Sequence, residues 1–73
     1  MATFSERLKE LRKTNKVTQK QAAIKTQIVE RVYQSYEYGK VIPTATALIA
    51  LADYFNVSID YLVGRTNNPK VND

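Results

Sequence analysis

IVERVYQSYEYGK, residues Ile28 to Lys40, is the stretch that decides the fold of this chain. At 3.6 residues per turn, successive residues advance by about 100° around a helix axis, which divides the segment into two arcs. The apolar arc contains Val29, Val32, Tyr33, Tyr36 and the alkyl stem of Lys40. The polar arc contains Glu30, Arg31, Gln34, Ser35 and Tyr38. The pattern predicts a helix that packs on its apolar arc and presents its polar arc to a partner.

The composition limits the class of protein. A chain of 73 residues has room for one small domain. The lack of cysteine and histidine removes the commonest metal ligands and the commonest general base, so we expect no metal site and no cofactor. The apolar runs are too short for a membrane span or a signal peptide, and the lack of cysteine fits a cytoplasmic protein. The net charge of +4 indicates an anionic partner, with nucleic acid as the first candidate.

Capping signals divide the chain into four or five helices and no strand. The pairs Thr3 with Glu6 and Thr18 with Gln21 have the spacing of a capping box, in which each side chain accepts from the other residue's amide. Gly39 follows the opening segment where a helix end favours a left-handed residue. Further N-cap and stop signals are Thr44, Asn56, Ser58 and Gly64. Residues 65–73 contain one apolar side chain and are predicted to form a flexible polar tail.

Several segments together resemble the phage repressor and Cro type of helix-turn-helix domain. They are FSERLKELRK at residues 4–13, TQKQAA at 18–23, YEYGKVIP at 36–43 and ALADYFNVSIDYLVG at 50–64. The resemblance covers nearly the whole chain and implies an all-α, compact five-helix bundle of the lambda-repressor-like kind. It also implies that residues 1–64 form a DNA-binding domain, which binds a palindromic operator in double-stranded DNA as a homodimer.

The resemblance assigns roles to individual residues. Positions that contact DNA bases in the family match Glu30, Arg31, Gln34 and Ser35. Positions that contact phosphates match Arg12, Gln19, Tyr38 and Lys40. In addition, Arg12 matches a basic residue of the family that forms an ion pair with the acidic residue matching Glu37.

Two of these residues, Glu30 and Tyr38, keep two interpretations each. Glu30 can accept a hydrogen bond from cytosine or can complement the dipole of the helix in its first turn. Tyr38 stands where the family usually has asparagine, and its phenol can donate to a phosphate or pack on the surface. Tyr33 and Tyr36 are assigned to the core, because they share the apolar arc.

The chain departs from the family pattern around the turn. Gln27 stands where glycine is usual, which predicts a strained left-handed residue. Val29 stands where a capping serine or threonine is usual, which predicts a poorly capped helix. Ala22 is smaller and Tyr33 is larger than the usual residues, so we expect Tyr33 to fill the space that Ala22 leaves.

Two classes of function remain for comparison. The first is a sequence-specific DNA-binding repressor. We predict its dimer interface on the apolar residues of the short last helix, Ile59, Tyr61, Leu62 and Val63. The second is a protein-interaction or antitoxin-like adaptor with the same fold. An adaptor predicts large apolar residues on the outward arc of the opening segment, whereas that arc is polar and favours DNA.

An enzyme is not expected. The serines have no histidine to activate them, and both glycines follow helices instead of forming a phosphate-binding loop. We therefore predict no catalytic residue and no small-molecule substrate.

Overall fold

The computed structural model describes residues 3–71. Residues 1–2 of the predicted DNA-binding domain and residues 72–73 of the predicted tail lie outside the described residues. The helices are α1 (Phe4–Thr14), α2 (Gln19–Thr26), α3 (Glu30–Tyr38), α4 (Ala45–Phe55) and α5 (Ile59–Leu62). No strand occurs in the described part of the chain. The prediction of an all-α bundle of five helices is confirmed.

The capping residues define the helix ends as the sequence predicts. Both capping boxes form: the amide of Glu6 donates to Thr3 Oγ1 at 3.2 Å, and the amide of Gln21 donates to Thr18 Oγ1 at 3.0 Å. In return, the amide of Thr3 donates to Glu6 Oε1 at 2.9 Å, and the amide of Thr18 donates to Gln21 Oε1 at 2.8 Å. Gly39 ends α3 in the left-handed conformation, with φ of 74°. These local bonds satisfy backbone groups that helix termini would otherwise leave without partners.

The core lies where the five helices meet. Its largest fully buried side chains are Leu8, Tyr33, Leu51 and Leu62. Phe4 of α1 meets Tyr36 of α3 edge to face, with ring centroids 5.9 Å apart. The small Ala22 of α2 is buried in the same cluster as Tyr33, consistent with the expectation that the large ring fills the space left by the small residue.

The buried Arg7 connects α1 to α5 and to the residues that follow α5. Its Nη1 donates to the carbonyl oxygens of Tyr61 at 3.1 Å and Thr66 at 3.0 Å, and its Nη2 donates to Asn67 Oδ1 at 2.7 Å. The guanidinium carbon also lies 3.9 Å from the centre of the Tyr61 ring. The sequence placed a domain boundary after residue 64, but these contacts continue across it. The flexibility of residues 65–73 stays a prediction.

Candidate nucleic-acid interface

The turn between α2 and α3 sets the angle between these two helices. Gln27 adopts φ of 60° and ψ of 32°. This is the left-handed conformation that we predicted for Gln27, which stands where the family usually has glycine. The amide of Ile28 donates to the carbonyl of Ala23 at 3.0 Å, and Thr26 Oγ1 donates to the carbonyl of Ala22 at 2.7 Å. The turn therefore forms without glycine, at a conformational cost of about 1–2 kcal/mol.

Helix α3 begins without a side-chain cap. Val29 occupies the N-cap position and makes no capping hydrogen bond, as its apolar side chain predicts. The helix buries Tyr33, Tyr36 and Glu37 against the bundle, which confirms the assignment of both tyrosines to the core.

The prediction that the whole apolar arc packs against the bundle is wrong for three of its residues. Val29 is 66% exposed and Val32 is 39% exposed, and Lys40 is also exposed. Val29 precedes the first helical residue, with ψ of 133°, so the angular spacing of a helix does not apply to it. Lys40 follows the left-handed Gly39 and lies beyond the last residue of α3, so the angular spacing does not apply to it either. Val32 lies within the helix, and its exposure of 39% places it at the edge of the buried side.

The polar face of α3 carries all four residues predicted to contact bases. Glu30 and Arg31 are exposed, and Gln34 and Ser35 are half-buried beside them. Ser35 Oγ donates to the carbonyl of Arg31 at 3.0 Å, which leaves its oxygen lone pairs available as acceptors. Tyr38, predicted to contact a phosphate, is exposed at the end of the same helix. The structure thus places an arginine fork, an amide, a carboxylate and a hydroxyl close together on one helix.

An ion pair fixes α3 against α1. Arg12 Nε donates to Glu37 Oε2 at 2.6 Å, and Arg12 Nη2 donates to Glu37 Oε1 at 3.2 Å. Arg12 Nη1 donates to the carbonyl of Val17 in the loop before α2, at 3.1 Å. The two side chains are 16% and 0% exposed. These bonds use three of the five N–H donors of the Arg12 guanidinium, so the side chain holds α3 and the loop in place. The predicted phosphate contact of Arg12 stays a prediction.

The same carboxylate organises the first residue of α2. Gln19 Nε2 donates to Glu37 Oε1 at 3.2 Å, and Gln34 Nε2 lies 3.5 Å from Gln19 Oε1. Sequence comparison treated Gln19 and Gln34 as separate DNA contacts and did not predict their link. The i to i+15 separation of these two residues gives no local signal, and only the packing of α2 on α3 brings them together.

The buried charges of this cluster shift the pKa values of its members. Burial acts to raise the pKa of Glu37, but hydrogen bonds from Arg12 and Gln19 and the charge of Arg12 outweigh it and hold that pKa below its ordinary value. The Tyr33 hydroxyl is buried near Glu37 but has no hydrogen-bond partner of acceptable geometry among the described residues. Its burial, followed by the proximity of the Glu37 carboxylate, raises the pKa of Tyr33 far above its ordinary value. The phenol therefore stays neutral, and the carboxylate stays charged at neutral pH.

The predicted dimer interface at α5 needs a correction. Leu62 is completely buried in the core of the chain, so the prediction that it contacts a partner is wrong. Ile59 is exposed, and Tyr61 and Val63 are half-buried. A helix of four residues is too short for its spacing to show which side chain faces the core, and this explains the error.

Among residues 3–71, no helix has the length and apolar character needed to cross a lipid bilayer.

Two short helices joined by a tight turn, the second with an exposed polar face, define a helix-turn-helix domain. A helix-turn-helix family model matches residues 8–62 of the chain. The chain belongs to the Cro/C1-type helix-turn-helix family.

Similar proteins include regulators and phage repressors. The chain is 41% identical over 68 residues to the uncharacterized HTH-type transcriptional regulator YqaE of Bacillus subtilis, a match that covers 93% of this chain and 59% of the relative. It is 42% identical over 62 residues to the cryptic phage CTXphi transcriptional repressor RstR of Vibrio cholerae, covering 85% of this chain and 55% of that repressor. The chain thus matches little more than half the length of these relatives.

The fold is also that of a solved repressor. The P22 c2 repressor, in a crystal structure with a synthetic operator, superposes with a TM-score of 0.84 at 23% identity, covering 90% of this chain and 100% of that one. At this identity the similarity establishes the fold.

Proposed function

We propose that this chain is the DNA-binding domain of a transcriptional repressor, and that it binds a palindromic operator in double-stranded DNA as a homodimer. The observation that carries the proposal is the polar face of α3, where Glu30, Arg31, Gln34 and Ser35 are displayed on a helix held rigidly from behind by the Arg12–Glu37 pair. The net charge of +4 favours an anionic partner. The names of the relatives, which include a phage repressor, support the same function.

The chemistry of the exposed side chains fits the major groove. The planar fork of Arg31 matches the O6 and N7 acceptors of guanine, and the amide of Gln34 matches N6 and N7 of adenine. Gln19 and Lys40, at the start of α2 and just after α3, are suited to hold phosphates on either side of the groove. In this arrangement α3 lies in the groove and α2 crosses the backbone.

The small size of the surface on α3 supports a homodimer. One short helix contacts only a few base pairs, and two copies about 34 Å apart would contact successive major grooves on one side of the duplex. The side chains left to form the interface after the correction at Leu62 are Ile59, Tyr61 and Val63. A chain that stays monomeric at high concentration in ultracentrifugation, and binds one copy per site, would contradict this part of the proposal.

The test of the proposal is selection of bound sequences from a random pool of duplexes. We expect a palindrome whose half-sites are separated by about one helical turn. Arg31→Ala run in parallel should yield a less defined consensus, because one specific contact is lost. Recovery of no consensus by the wild-type chain would overturn the proposal.

One observation favours a second candidate, a protein-interaction adaptor. Val29, just before α3, and Val32, within α3, are exposed, and an apolar surface there would serve a protein partner. Because the two residues between these valines, Glu30 and Arg31, are charged and exposed, we prefer the DNA-binding function. The failed selection described above is the result expected of an adaptor.

A further inference from the structure

Arg7 joins the last turn of α5 to the residues that follow this helix. Its Nη1 donates to the carbonyl oxygens of Tyr61, within α5, and of Thr66, and its Nη2 donates to Asn67 Oδ1. Arg7 is only 6% exposed, and within residues 3–71 no carboxylate forms an ion pair with it. Its buried charge is therefore stabilised by these three oxygen acceptors, two of which lie beyond α5.

A second contact holds the same segment at the other end of α5. The amide of Ser58, the N-cap residue of α5, donates to the carbonyl of Pro69 at 3.0 Å. Within the segment, the amide of Lys70 donates to Asn68 Oδ1 at 3.1 Å. Residues 65–71 therefore form a clasp that runs back along α5 from its last turn to its N-cap.

Helix α5 depends on its neighbours for its orientation. It has four residues, and isolated helices shorter than about 12 residues are marginal in water. Tyr61 of this helix is one of the side chains proposed for the dimer interface, and the centre of its ring lies 3.9 Å from the guanidinium carbon of Arg7. The group that binds the clasp therefore also holds a proposed interface residue in position.

We infer that the clasp is a conformational switch for dimerisation, in which Arg7 and Asn67 are the positioning residues. The inference rests on the proposed function, because it concerns the homodimer that binds the operator. With the clasp closed, the Arg7 guanidinium has its oxygen acceptors and holds Tyr61 at the proposed interface. With the clasp open, Arg7 loses two of these three acceptors, and its charge moves toward solvent because burial without partners is costly. Tyr61 loses its support at the same time.

The clasp acts on the dimer and not on the helix proposed to contact bases. Helix α3 is held by the pair of Arg12 and Glu37, whereas the clasp bonds to Arg7 and Ser58. A single copy with an open clasp should therefore bind an isolated half-site as wild type does. Only the joint binding of two copies to the palindrome should weaken.

The test substitutes Asn67 in the full chain. Asn67→Ala removes the acceptor of Arg7 Nη2 and should open the clasp in part of the molecules. Sedimentation equilibrium should give a dimer dissociation constant about tenfold higher than that of wild type. A tenfold increase corresponds to about a third of the copies keeping the clasp closed, because both copies of a dimer must be competent. Asn67→Asp keeps an oxygen acceptor for the guanidinium and should dimerise at least as tightly as wild type.

Asn68→Asp is the matched control for charge. It adds the same negative charge as Asn67→Asp, and it keeps an acceptor for the amide of Lys70. The Arg7 guanidinium donates to the side chain of residue 67 and not to that of residue 68. Asn68→Asp should therefore leave the dimer dissociation constant unchanged.

Two further readouts separate a switch from a general loss of stability. Hydrogen exchange at the Ser58 amide reports the clasp directly, because that amide donates to Pro69. It should be faster than wild type in Asn67→Ala and unchanged in Asn67→Asp. Affinity for a duplex with one half-site should be the same for wild type and both variants, whereas affinity for the palindrome should fall in Asn67→Ala.

The outcomes distinguish the inference from the proposed function. Dimerisation of Asn67→Ala with the wild-type constant overturns the inference and leaves the proposed function intact. The inference also fails if Asn67→Ala weakens binding to the half-site and to the palindrome equally, because the clasp then supports the whole fold. A wild-type chain that stays monomeric and binds one copy per site overturns both the inference and the proposed homodimer.

Discussion

Gln27 occupies a position whose left-handed backbone conformation favours glycine. Its φ of 60° lies in the region that side chains with a Cβ atom disfavour. Asn56 ends α4 with φ of 56°, but asparagine tolerates this conformation better than glutamine does. Lys16, in the loop before α2, also has a positive φ of 58°, so Gln27 is one of two residues in the described part of the chain that adopt this conformation without being glycine or asparagine.

Replacing Gln27 by glycine should relieve this strain. We expect Gln27→Gly to raise the free energy of unfolding by about 0.5–1 kcal/mol, since the relief of strain exceeds the added freedom of glycine in the unfolded chain. Urea unfolding followed by circular dichroism measures the change. The control Asn56→Gly should give a smaller gain. A loss of stability in Gln27→Gly would contradict this, because it would show that the glutamine side chain stabilises the fold by more than the strain of its backbone costs.

Residue-scale prediction from the sequence was good where the signal was local. The capping boxes at Thr3 and Thr18, the left-handed Gln27 and the uncapped Val29 each follow from two to four neighbouring residues. Exposure was predicted less well because it depends on where a helix starts. The helical wheel placed Val29 on the packed arc, whereas the residue precedes the helix and its side chain points into solvent.

At the scale of elements, the Arg12–Glu37 pair determines how α3 is held. Glu37→Gln keeps the shape of the side chain but leaves the Arg12 charge without a partner. We expect a loss of about 3 kcal/mol in the free energy of unfolding, at the lower end for a broken buried pair because Arg12 is 16% exposed. Thermal and urea unfolding measure the loss. An unchanged midpoint would show that the pair does not stabilise the bundle.

The same pair predicts how stability depends on pH. The pKa of Glu37 is lowered in the folded chain from the ordinary value of 4.5. Its contribution is therefore fully present above pH 4.5 and is lost as the pH falls through the folded pKa. The melting temperature of wild type should stay constant from pH 8 to about pH 5 and fall at lower pH. The melting temperature of Glu37→Gln should fall less over the same acid range. Glu6, whose pKa is lowered by hydrogen bonds from Thr3, should leave part of the acid dependence in the variant.

Arg7 connects elements that are distant in the sequence. Its guanidinium makes three hydrogen bonds, two to carbonyl oxygens and one to Asn67. Arg7→Lys keeps the charge but cannot supply this planar set of donors, so we expect a loss of about 2 kcal/mol in the free energy of unfolding. Arg65→Lys, at an exposed position, is the control and should change little. Equal stability of Arg7→Lys and wild type would show that the contacts with residues 66 and 67 are not significant in solution.

At the scale of the whole molecule, the resemblance to phage repressors gave the fold and the ion pair between Arg12 and Glu37. Long-range contacts were not predictable in the same way. The contacts of Arg7 with residues that follow α5 span more than fifty positions, and no local pattern marks them. The side of α5 that faces the core was also misjudged, since four residues are too few to show a periodicity, and Leu62 was placed on the surface as a result.

Sequence specificity is likewise a property of the whole molecule, because it is a difference in affinity between two duplexes. Arg31 is exposed on α3 and is assigned to a base, whereas Lys40 lies just beyond Gly39 and is assigned to a phosphate. Under the proposed function both residues contact the same DNA duplex, but they make different kinds of contact. Their alanine variants separate recognition of sequence from general attraction to DNA.

The measurement that tests this most directly is a salt titration of Arg31→Ala and Lys40→Ala on the selected operator and on single-base variants of it. Arg31→Ala should lose about 1–3 kcal/mol of binding free energy on the operator and little on the duplex altered at the base pair that Arg31 contacts. Lys40→Ala should weaken binding to all duplexes similarly and reduce the log–log salt slope by about one. If Arg31→Ala instead weakens every duplex equally, Arg31 contacts only the backbone, and α3 is not the element that recognises the operator.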